Sequence, residues 1–305
     1  MDRLEAMSVL LVVVEEGSLS AASRRLRAPL ATVSRKVADL EKHLRTPLLV
    51  RTSRRVQLTD AGRVYVEAAR RILEQVEEAE RDAAGEYSAP RGELDVTAPI
   101  VFGRTHVLPI AIDFLKEQPE IDIRLLVNDR QVNMVEEQID VAVRIGHLVD
   151  SDLRAMKVGE VRRVACASPA YLASRGTPAA PQDLPAHDGV TFRGFKTAPE
   201  WRYRGDNPAW TAEPRKRLAV NSTEAAVAAA VAGLGVVRVL SYQIESELES
   251  GALVPILEDF APEPLPVSLV CTVASLRSHK VRAFLEWTAP RLRTRLRRHS
   301  SDSPR

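Results

Sequence analysis

The chain has 305 residues, more than one compact core usually needs, so at least two domains are expected. Hydrophobic residues make up 45% and charged residues 28%, as in folded globular proteins, and no apolar run approaches the roughly 20 residues of a membrane-spanning helix. The first residues lack the features of a secretory signal, and only Cys166 and Cys271 could form a disulfide. We therefore expect a cytoplasmic protein with reduced thiols that does not interact with a membrane.

Charge is distributed unevenly along a chain whose net charge is only +2. Residues 24–63 carry eleven Lys and Arg side chains against three Asp and Glu, a net charge of +8. Residues 64–90 carry three basic and seven acidic side chains, a net charge of −4. Such runs are usually solvated surfaces, and only the helical context of the basic run favours nucleic-acid binding here.

Three helices are predicted at the start of the chain. The first has an apolar stripe and ends at Gly17, and Ser18 caps a second, short helix. Pro29 begins a third helix that extends through Leu44. The expected inward-facing residues of the three helices are, in order, Leu4, Met7, Leu11 and Val14; Leu19, Ala22 and Leu26; and Val33, Val37, Leu40 and Leu44. A short helix, a tight turn and a second helix indicate a helix-turn-helix.

The outward face of the third helix has the composition of a DNA-reading surface. Small side chains allow close approach to the bases, hydroxyls reach phosphates, and Arg or Lys reaches base edges. The residues on this face and its flanks are Ala31, Thr32, Ser34, Arg35 and Lys36. The alternative is an exposed helix in an ordinary small bundle.

A short hairpin is predicted after the third helix. Residues 47–51 and 55–58 form its strands, and the polar residues 52–54 form the turn. This hairpin is typical of the wing of a winged helix-turn-helix. Arg54 and Arg55 at its tip could reach a phosphate or the minor groove.

The first 62 residues resemble the LysR family of transcriptional regulators. The resemblance rests on residues 12–22 (VVVEEGSLSAA), 33–37 (VSRKV), 40–41 (LE), 51–52 (RT) and 58–62 (LTDAG). It implies that Ala31, Thr32, Ser34 and Arg35 occupy DNA-contacting positions and that Arg54 and Arg55 match the family's wing. Where the family commonly has a polar pair, this chain has Pro29-Leu30, so a glutamine contact cannot be transferred to it.

A long helix capped by Thr59 is predicted next. Its apolar residues recur at alternating spacings of four and three, the pattern of a helix–helix seam: Tyr65, Ala69, Ile72, Val76 and Ala79. This stripe could instead pack on the C-terminal domain of its own chain. The resemblance implies that it pairs two chains, as a dimer or as a tetramer of two dimers, so that two half-sites of an inverted repeat are bound.

Strands and helices alternate after a hinge at 86–91. Strands are predicted at 93–97, 121–127, 140–145, 164–167, 190–192, 236–240 and 267–273, and helices at 108–116, 132–138, 171–174, 224–232, 242–249 and from His279. The alternation predicts a mainly parallel sheet with helices on its faces. Ligands bind such sheets beyond the carboxyl ends of the strands.

The resemblance to LysR regulators continues here, at residues 140–146 (DVAVRIG), 166–172 (CASPAYL) and 232–235 (AGLG) among others. It implies an effector domain like the periplasmic solute-binding proteins, with two lobes. The fold class expected is thus α/β, with an all-α winged helix-turn-helix at the N-terminus and a two-lobed α/β domain after it. The expected domains are 1–62, the linking helix and hinge 63–90, and 91–305, whose lobes are 91–162 plus 267–305, and 163–266.

Candidate effector-binding residues lie at strand ends and helix starts, where hydroxyls and helix N-termini can hold an anion. They are Thr97, Pro99, Ile100, Phe102, Arg144, Phe192, Asn221 and Thr223. Arg144 could equally brace the lobes through an ion pair, and Asn221 and Thr223 could simply cap a helix.

No catalytic, nucleotide-binding or metal-binding motif is present, so neither an enzyme nor a cofactor is expected. The expected partners are double-stranded DNA with an inverted repeat, a small, anionic effector and a second copy of the chain. RNA polymerase is a further candidate. Two alternatives remain open: an architectural DNA-binding protein without an effector, and a solute-binding domain with an accessory DNA-binding module.

Overall fold

The computed structural model describes residues 2–51, 56–83, 89–130, 132–148, 153–192, 201–204 and 210–301. It divides into two compact units, Met1–Ser88 and Ala89–Arg305. Among the described residues no single helix combines the length and hydropathy of a membrane span. Only the bent pair of helices Arg3–Glu15 and Leu19–Arg25 reaches such values together.

The described residues of the first unit form four helices and a two-stranded hairpin: α1 (Arg3–Glu15), α2 (Leu19–Arg25), α3 (Leu30–Leu44), β1 (Leu49–Arg51), β2 (Val56–Leu58) and α4 (Asp60–Ala83). Side-chain caps set where these helices begin. The Asp2 carboxylate accepts from two backbone N–H groups of α1, and the Ser18 and Thr59 hydroxyls accept from the N–H groups of Ala21 and Gly62. The caps predicted for Ser18 and Thr59 are therefore confirmed.

The buried face of α1 differs from the predicted stripe. Ala6, Leu10 and Val13 are fully buried, whereas Leu4, which was expected to face inward, is 40% exposed. Because α1 is apolar around most of its circumference, hydrophobic periodicity alone does not select the face that packs on its neighbours.

The described part of the second unit contains two five-stranded sheets and a two-stranded one. Its strands are β3 (Gly92–Ala98), β4 (Ile121–Val127), β5 (Val141–Ile145), β6 (Leu153–Val161), β7 (Arg163–Ala167), β8 (Asp188–Phe192), β9 (Arg202–Tyr203), β10 (Trp210–Thr211), β11 (Arg215–Val220), β12 (Val236–Leu240), β13 (Val254–Ile256) and β14 (Leu265–Thr272). Its α-helices are α5 (Ile100–Phe102), α6 (Leu108–Glu117), α7 (Pro169–Arg175), α8 (Thr223–Val231), α9 (Glu245–Glu249) and α10 (His279–Ser301), and a π-helical segment, Gly103–Val107, joins α5 to α6.

Each five-stranded sheet forms the centre of one lobe. Lobe one has the strand order β4-β3-β5-β14-β6, and lobe two has the order β11-β8-β12-β7-β13. The chain passes from lobe one to lobe two at Arg162, between β6 and β7, and returns between β13 and β14. The two lobes are thus joined by two crossing segments.

The mainly parallel pairing that we expected is wrong. In each five-stranded sheet two strand pairs are parallel and two are antiparallel. The antiparallel pairs of these two sheets involve β14 or β7, the strands next to the crossing segments, and β9 and β10 form a separate antiparallel pair. Strand β6, which pairs with β14 along its whole length, was not predicted at all.

Two of the predicted helices are also wrong. Residues 132–138 form turns, since the Asn133 side chain accepts from the N–H groups of Val135 and Glu136, and Gln138 has a left-handed φ of 57°. The predicted helix 242–249 is broken at Ile244 into a 3₁₀ turn, Ser241–Gln243, and α9.

A buried carboxylate joins three elements of lobe two. Asp188, at the start of β8, is 4% exposed and lies 3.2 Å from Arg175 of α7 and 2.6 and 2.9 Å from Arg215 and Arg217 of β11. Hydrogen bonds from Arg215 and then Arg217 lower the pKa of Asp188, which burial alone would raise. The ionised form of Asp188 therefore stabilises the folded lobe.

Asp188→Asn should lower the stability of the full chain at pH 7, because three guanidinium groups lose their common anion. Since the pKa of Asp188 is lowered on folding, its contribution is complete above the unfolded value of about 3.9 and is lost as the pH falls through the folded value. The difference in urea midpoint between wild type and variant should shrink below about pH 4. Asp259→Asn, at an exposed position, is the control. A difference that grows at acid pH would contradict this assignment.

Candidate DNA-binding surface and ligand cavity

The orientation of α3 is fixed by three side chains. Val33, Val37 and Leu40 are at most 1% exposed and belong to the core of the first unit, whose other members come mainly from α1, α2 and β1. The opposite face of α3 must then face solvent.

The predicted DNA-binding residues of α3 lie around that outward face. Ala31 and Arg35 are exposed, and Thr32 and Ser34 are half-buried at its flanks. Leu30, at the first turn, is 47% exposed beside them. Among the described residues Arg35 has no ion pair or hydrogen bond, so its guanidinium can reach a base edge.

Lys36 is placed differently from the other predicted DNA contacts. Its ammonium forms an ion pair with Glu5 of α1, and its side chain is 23% exposed. Arg25 of α2 is similarly engaged, 3.1 Å from Glu15 and 3.0 Å from Glu16. Both cations support the packing of the helices, and DNA would have to compete for them.

The predicted wing is present as strands β1 and β2, which pair antiparallel from Leu49 with Leu58 to Arg51 with Val56. Arg54 and Arg55, the predicted contacts at its tip, lie outside the described residues.

The predicted seam on α4 divides into two parts. Tyr65 packs against the core of the first unit, and Ala69 is fully buried. Burial raises the pKa of the Tyr65 phenol. Ile72 is 40% exposed, Val76 is half-buried and Ala79 is exposed. The part of the predicted seam that remains at least partly exposed is thus its later half.

A cavity of about 230 Å³ lies between the two lobes, and we call it the interlobe cavity. Lobe one contributes Pro99, Asp129, Ile145 and Leu265, and the 3₁₀ turn contributes Tyr242 and Gln243. Lobe two contributes Arg163, the segment 190–192, Trp201, Glu213, Lys216 and residues 238–240. Most of these walls are apolar or aromatic, as in small-molecule sites.

Two of the eight predicted effector-binding residues, Pro99 and Phe192, line this cavity. Thr97 is 3% exposed and donates to the Leu126 carbonyl at 2.8 Å, joining β3 to β4. Phe102 is fully buried, 5.2 Å from the Tyr242 ring, and therefore supports the cavity wall from behind. Ile100 donates its N–H to Asp129 at 3.1 Å.

The other three predicted residues do not line the cavity either. Arg144 donates to the Val132 carbonyl at 2.5 Å, and burial lowers its pKa. The lobe-bracing ion pair considered for Arg144 is replaced by this backbone contact. The cap of α8 is Ser222, whose hydroxyl accepts from Ala225 at 3.3 Å, so Asn221 is exposed and Thr223 is buried inside the first turn.

Sequence reasoning missed the cationic side chains of the cavity. Arg163 and Arg238 are half-buried on adjacent strands, β7 and β12, and both also line a second cavity of about 420 Å³. The walls of that larger cavity come almost entirely from lobe two, whereas the interlobe cavity has substantial walls from both lobes. A charged residue inside an otherwise apolar strand, as in residues 236–240 (VVRVL), was the available signal.

Comparison with protein families agrees with this architecture. A model described as bacterial regulatory helix-turn-helix protein, lysR family, matches residues 4–63, and one described as LysR substrate binding domain matches residues 88–293. The chain belongs to the LysR family of transcriptional regulators. It is a DNA-binding regulator with an effector-binding domain, and members of this family are not enzymes.

Individual relatives match nearly the whole chain. The HTH-type regulator YhjC of Escherichia coli K12 is 32% identical over 95% of this chain and 97% of its own length. An HTH-type transcriptional repressor of Pseudomonas aeruginosa is 32% identical over 94% and 91%. The structure of CrgA, a LysR-type regulator from Neisseria meningitidis, matches with a TM-score of 0.60 at 29% identity, covering 94% of this chain and 98% of that one.

Arg35→Ala should weaken binding to a specific DNA site by about 1–3 kcal/mol if the guanidinium contacts a base edge, with little change in melting temperature. The measurement is a titration, at equal salt, of a site that the wild-type protein selects from a random duplex pool and of a scrambled duplex. Arg277→Ala, at an exposed position of the second unit, is the control. An equal loss on both duplexes would show that Arg35 contacts only phosphate.

Proposed function

We propose that this chain is a sequence-specific regulator that reads an inverted repeat through α3 and responds to a small, anionic effector bound in the interlobe cavity. The observation that carries the first half is the outward face of α3, where Ala31, Thr32 and Ser34 surround Arg35, whose guanidinium has no ion pair among the described residues. The wing tip, with Arg54 and Arg55, and Lys36 once released from Glu5 would add contacts to the backbone.

We further propose that residues 1–62 bind DNA, residues 63–90 mediate dimerisation and residues 91–305 bind the effector. A regulator that acts on DNA would work in the cytoplasm. We propose that it also contacts RNA polymerase at a promoter. Pro99 and Phe192 are the predicted effector residues that the cavity supports directly. Phe102 and Ile100 would act through Tyr242 and Asp129, which they contact in the cavity wall. Thr97, Arg144, Asn221 and Thr223 stay predictions that the lining of the cavity does not support.

Selection of binding sites from a random duplex pool by the full-length protein tests the DNA-reading half. An enriched sequence with two related half-sites in inverted orientation is expected, because a symmetric dimer presents two copies of α3. Enrichment without any sequence preference would instead favour the architectural alternative.

The dimer should depend on the exposed half of the α4 seam. Replacing both Ile72 and Val76 with Glu should split the assembly and abolish specific binding, because a single half-site offers too few contacts. Light scattering and a DNA titration measure the two effects.

The matched control is Arg70→Glu, which also changes the charge by −2 but lies on the opposite, exposed face of α4. It should leave the assembly intact. An unchanged mass for the Ile72 and Val76 double variant would refute the seam.

A further inference from the structure

Two neighbouring guanidinium groups in the interlobe cavity have no carboxylate partner among the described residues. Arg163 and Arg238 share one face of the lobe-two sheet, where β7 and β12 pair antiparallel with Leu240 opposite Arg163 and Arg238 opposite Ala165. Neither side chain forms an ion pair within the described part of the chain. Two like charges held side by side at half-buried positions are costly unless an anion compensates them.

Both groups remain charged at neutral pH despite this environment. Burial lowers the pKa of Arg238 to about 10, and the adjacent Arg163 contributes to the lowering. Burial also lowers the pKa of Arg163. Two positive charges therefore face the cavity when no ligand is bound.

The orientation of Arg238 is fixed by three contacts that are not anionic. Its Nη2 donates to the Arg202 carbonyl at 2.8 Å, and its guanidinium carbon lies 5.0 Å from the Tyr203 ring centre and 5.9 Å from that of Trp201. These contacts use one of its five N–H donors and hold its plane against aromatic faces. The remaining donors are available in a fixed geometry.

The acidic side chains of the cavity are already engaged elsewhere. Glu213 lies 2.8 Å from Lys216, and the Asp129 carboxylate accepts from the Ile100 N–H on the lobe-one wall. Burial raises the pKa of Asp129, and neither arginine contributes to that pKa. Glu245, Glu249 and Glu258 line the second cavity, which both arginines also reach, but none of them forms an ion pair with either arginine among the described residues. A bound anion would therefore compensate the arginine pair.

We propose that Arg163 and Arg238 together bind the carboxylate of a small organic acid whose apolar body contacts Phe192, Trp201 and Tyr242. The planar carboxylate matches the donor fork of a guanidinium. The apolar walls disfavour a fully hydrated anion such as inorganic phosphate. The volume of about 230 Å³ is below the roughly 300–1,000 Å³ of sites for drug-sized ligands, so the acid must be compact.

This inference rests on the proposed effector function and specifies its ligand class. It also predicts which lobe contacts each part of the ligand. The carboxylate would be held by strands of lobe two while its body contacts Tyr242, Ile145 and Leu265 on the other side of the cavity. Occupancy of the cavity would then favour a particular arrangement of the two lobes.

Ligand binding to the full-length chain tests the inference with three compact acids: benzoate, phenylacetate and 3-methylbutanoate. Thermal shift and calorimetry are measured for each acid and for its neutral amide, with acetate and inorganic phosphate at the same ionic strength. At least one of the three acids should raise the melting temperature in a concentration-dependent way. Its amide, acetate and phosphate should bind more weakly, by about 10-fold or more.

Arg163→Gln and Arg238→Gln should each weaken binding of that acid by about 10-fold or more, whereas Arg154→Gln, at an exposed position of β6, should not. Arg163→Gln is the more informative variant, because Arg238 also packs on Tyr203 and Trp201. Binding of the amide as tight as that of the acid, unchanged affinity in Arg163→Gln, or no response to any of the three acids would overturn the inference.

Failure of this inference can be distinguished from failure of the proposed function. Both arginine variants should bind the selected DNA site like wild type when no ligand is present, since the DNA-binding residues belong to the other unit. If the wild-type chain selects a DNA sequence but does not bind the acid more tightly than its amide, only the assignment of the ligand is wrong. If the wild-type chain itself selects no DNA sequence, the proposed function is wrong.

Discussion

Burial of three side chains of α3 is the constraint on which the account of this protein depends. Val33, Val37 and Leu40 pack into the core formed with α1 and α2, and this packing fixes the rotation of α3 about its axis. A rotation of half a turn would bury Arg35 and expose Val33. The cost of an unpaired buried charge and of exposed apolar surface excludes that alternative, so the outward face of α3, the candidate DNA-reading face, follows from the core.

Two charge clusters in the second unit differ in how their charges are compensated. The interlobe cavity combines apolar walls with the cations Arg163 and Arg238, and the second unit retains these charges without acidic partners among its described residues. Asp188 shows the contrasting case, because a buried carboxylate surrounded by three arginines is compensated within the fold. The Asp188 cluster therefore stabilises the lobe, whereas we propose that the pair Arg163 and Arg238 remains available to an anionic ligand.

Much of the fold could be predicted from the sequence where the local signals agree. Ser18 and Thr59 were recognisable as caps, and α3 was recognisable from its amphipathic spacing. The face of α1 was not predictable, because nearly every residue between Leu4 and Val14 is apolar. The turns at 132–138 and the break at Ile244 depend on side-chain and backbone contacts that a periodicity argument does not contain.

The two candidate sites also differ in how well the sequence predicts their residues. Residues of α3 are close in sequence, so their common face follows from helix geometry alone. The interlobe cavity joins residues as distant as Pro99 and Arg238, and its composition depends on which strands become neighbours. The predicted Thr97 and Arg144 lie on the expected strands, but their side chains form hydrogen bonds to backbone carbonyls. The cationic side chains that line the cavity are instead Arg163, Lys216 and Arg238.

The most direct test of the central claim is the ratio of affinities of the full-length chain for its selected inverted repeat and for a scrambled duplex of equal length, measured at physiological salt. The account predicts a ratio of about 10³ or more, because base contacts from two copies of α3 add to an electrostatic contribution that both duplexes share. Equal affinities with the same salt dependence would show that the basic surface binds only the phosphate backbone, and would contradict the claim that α3 reads sequence.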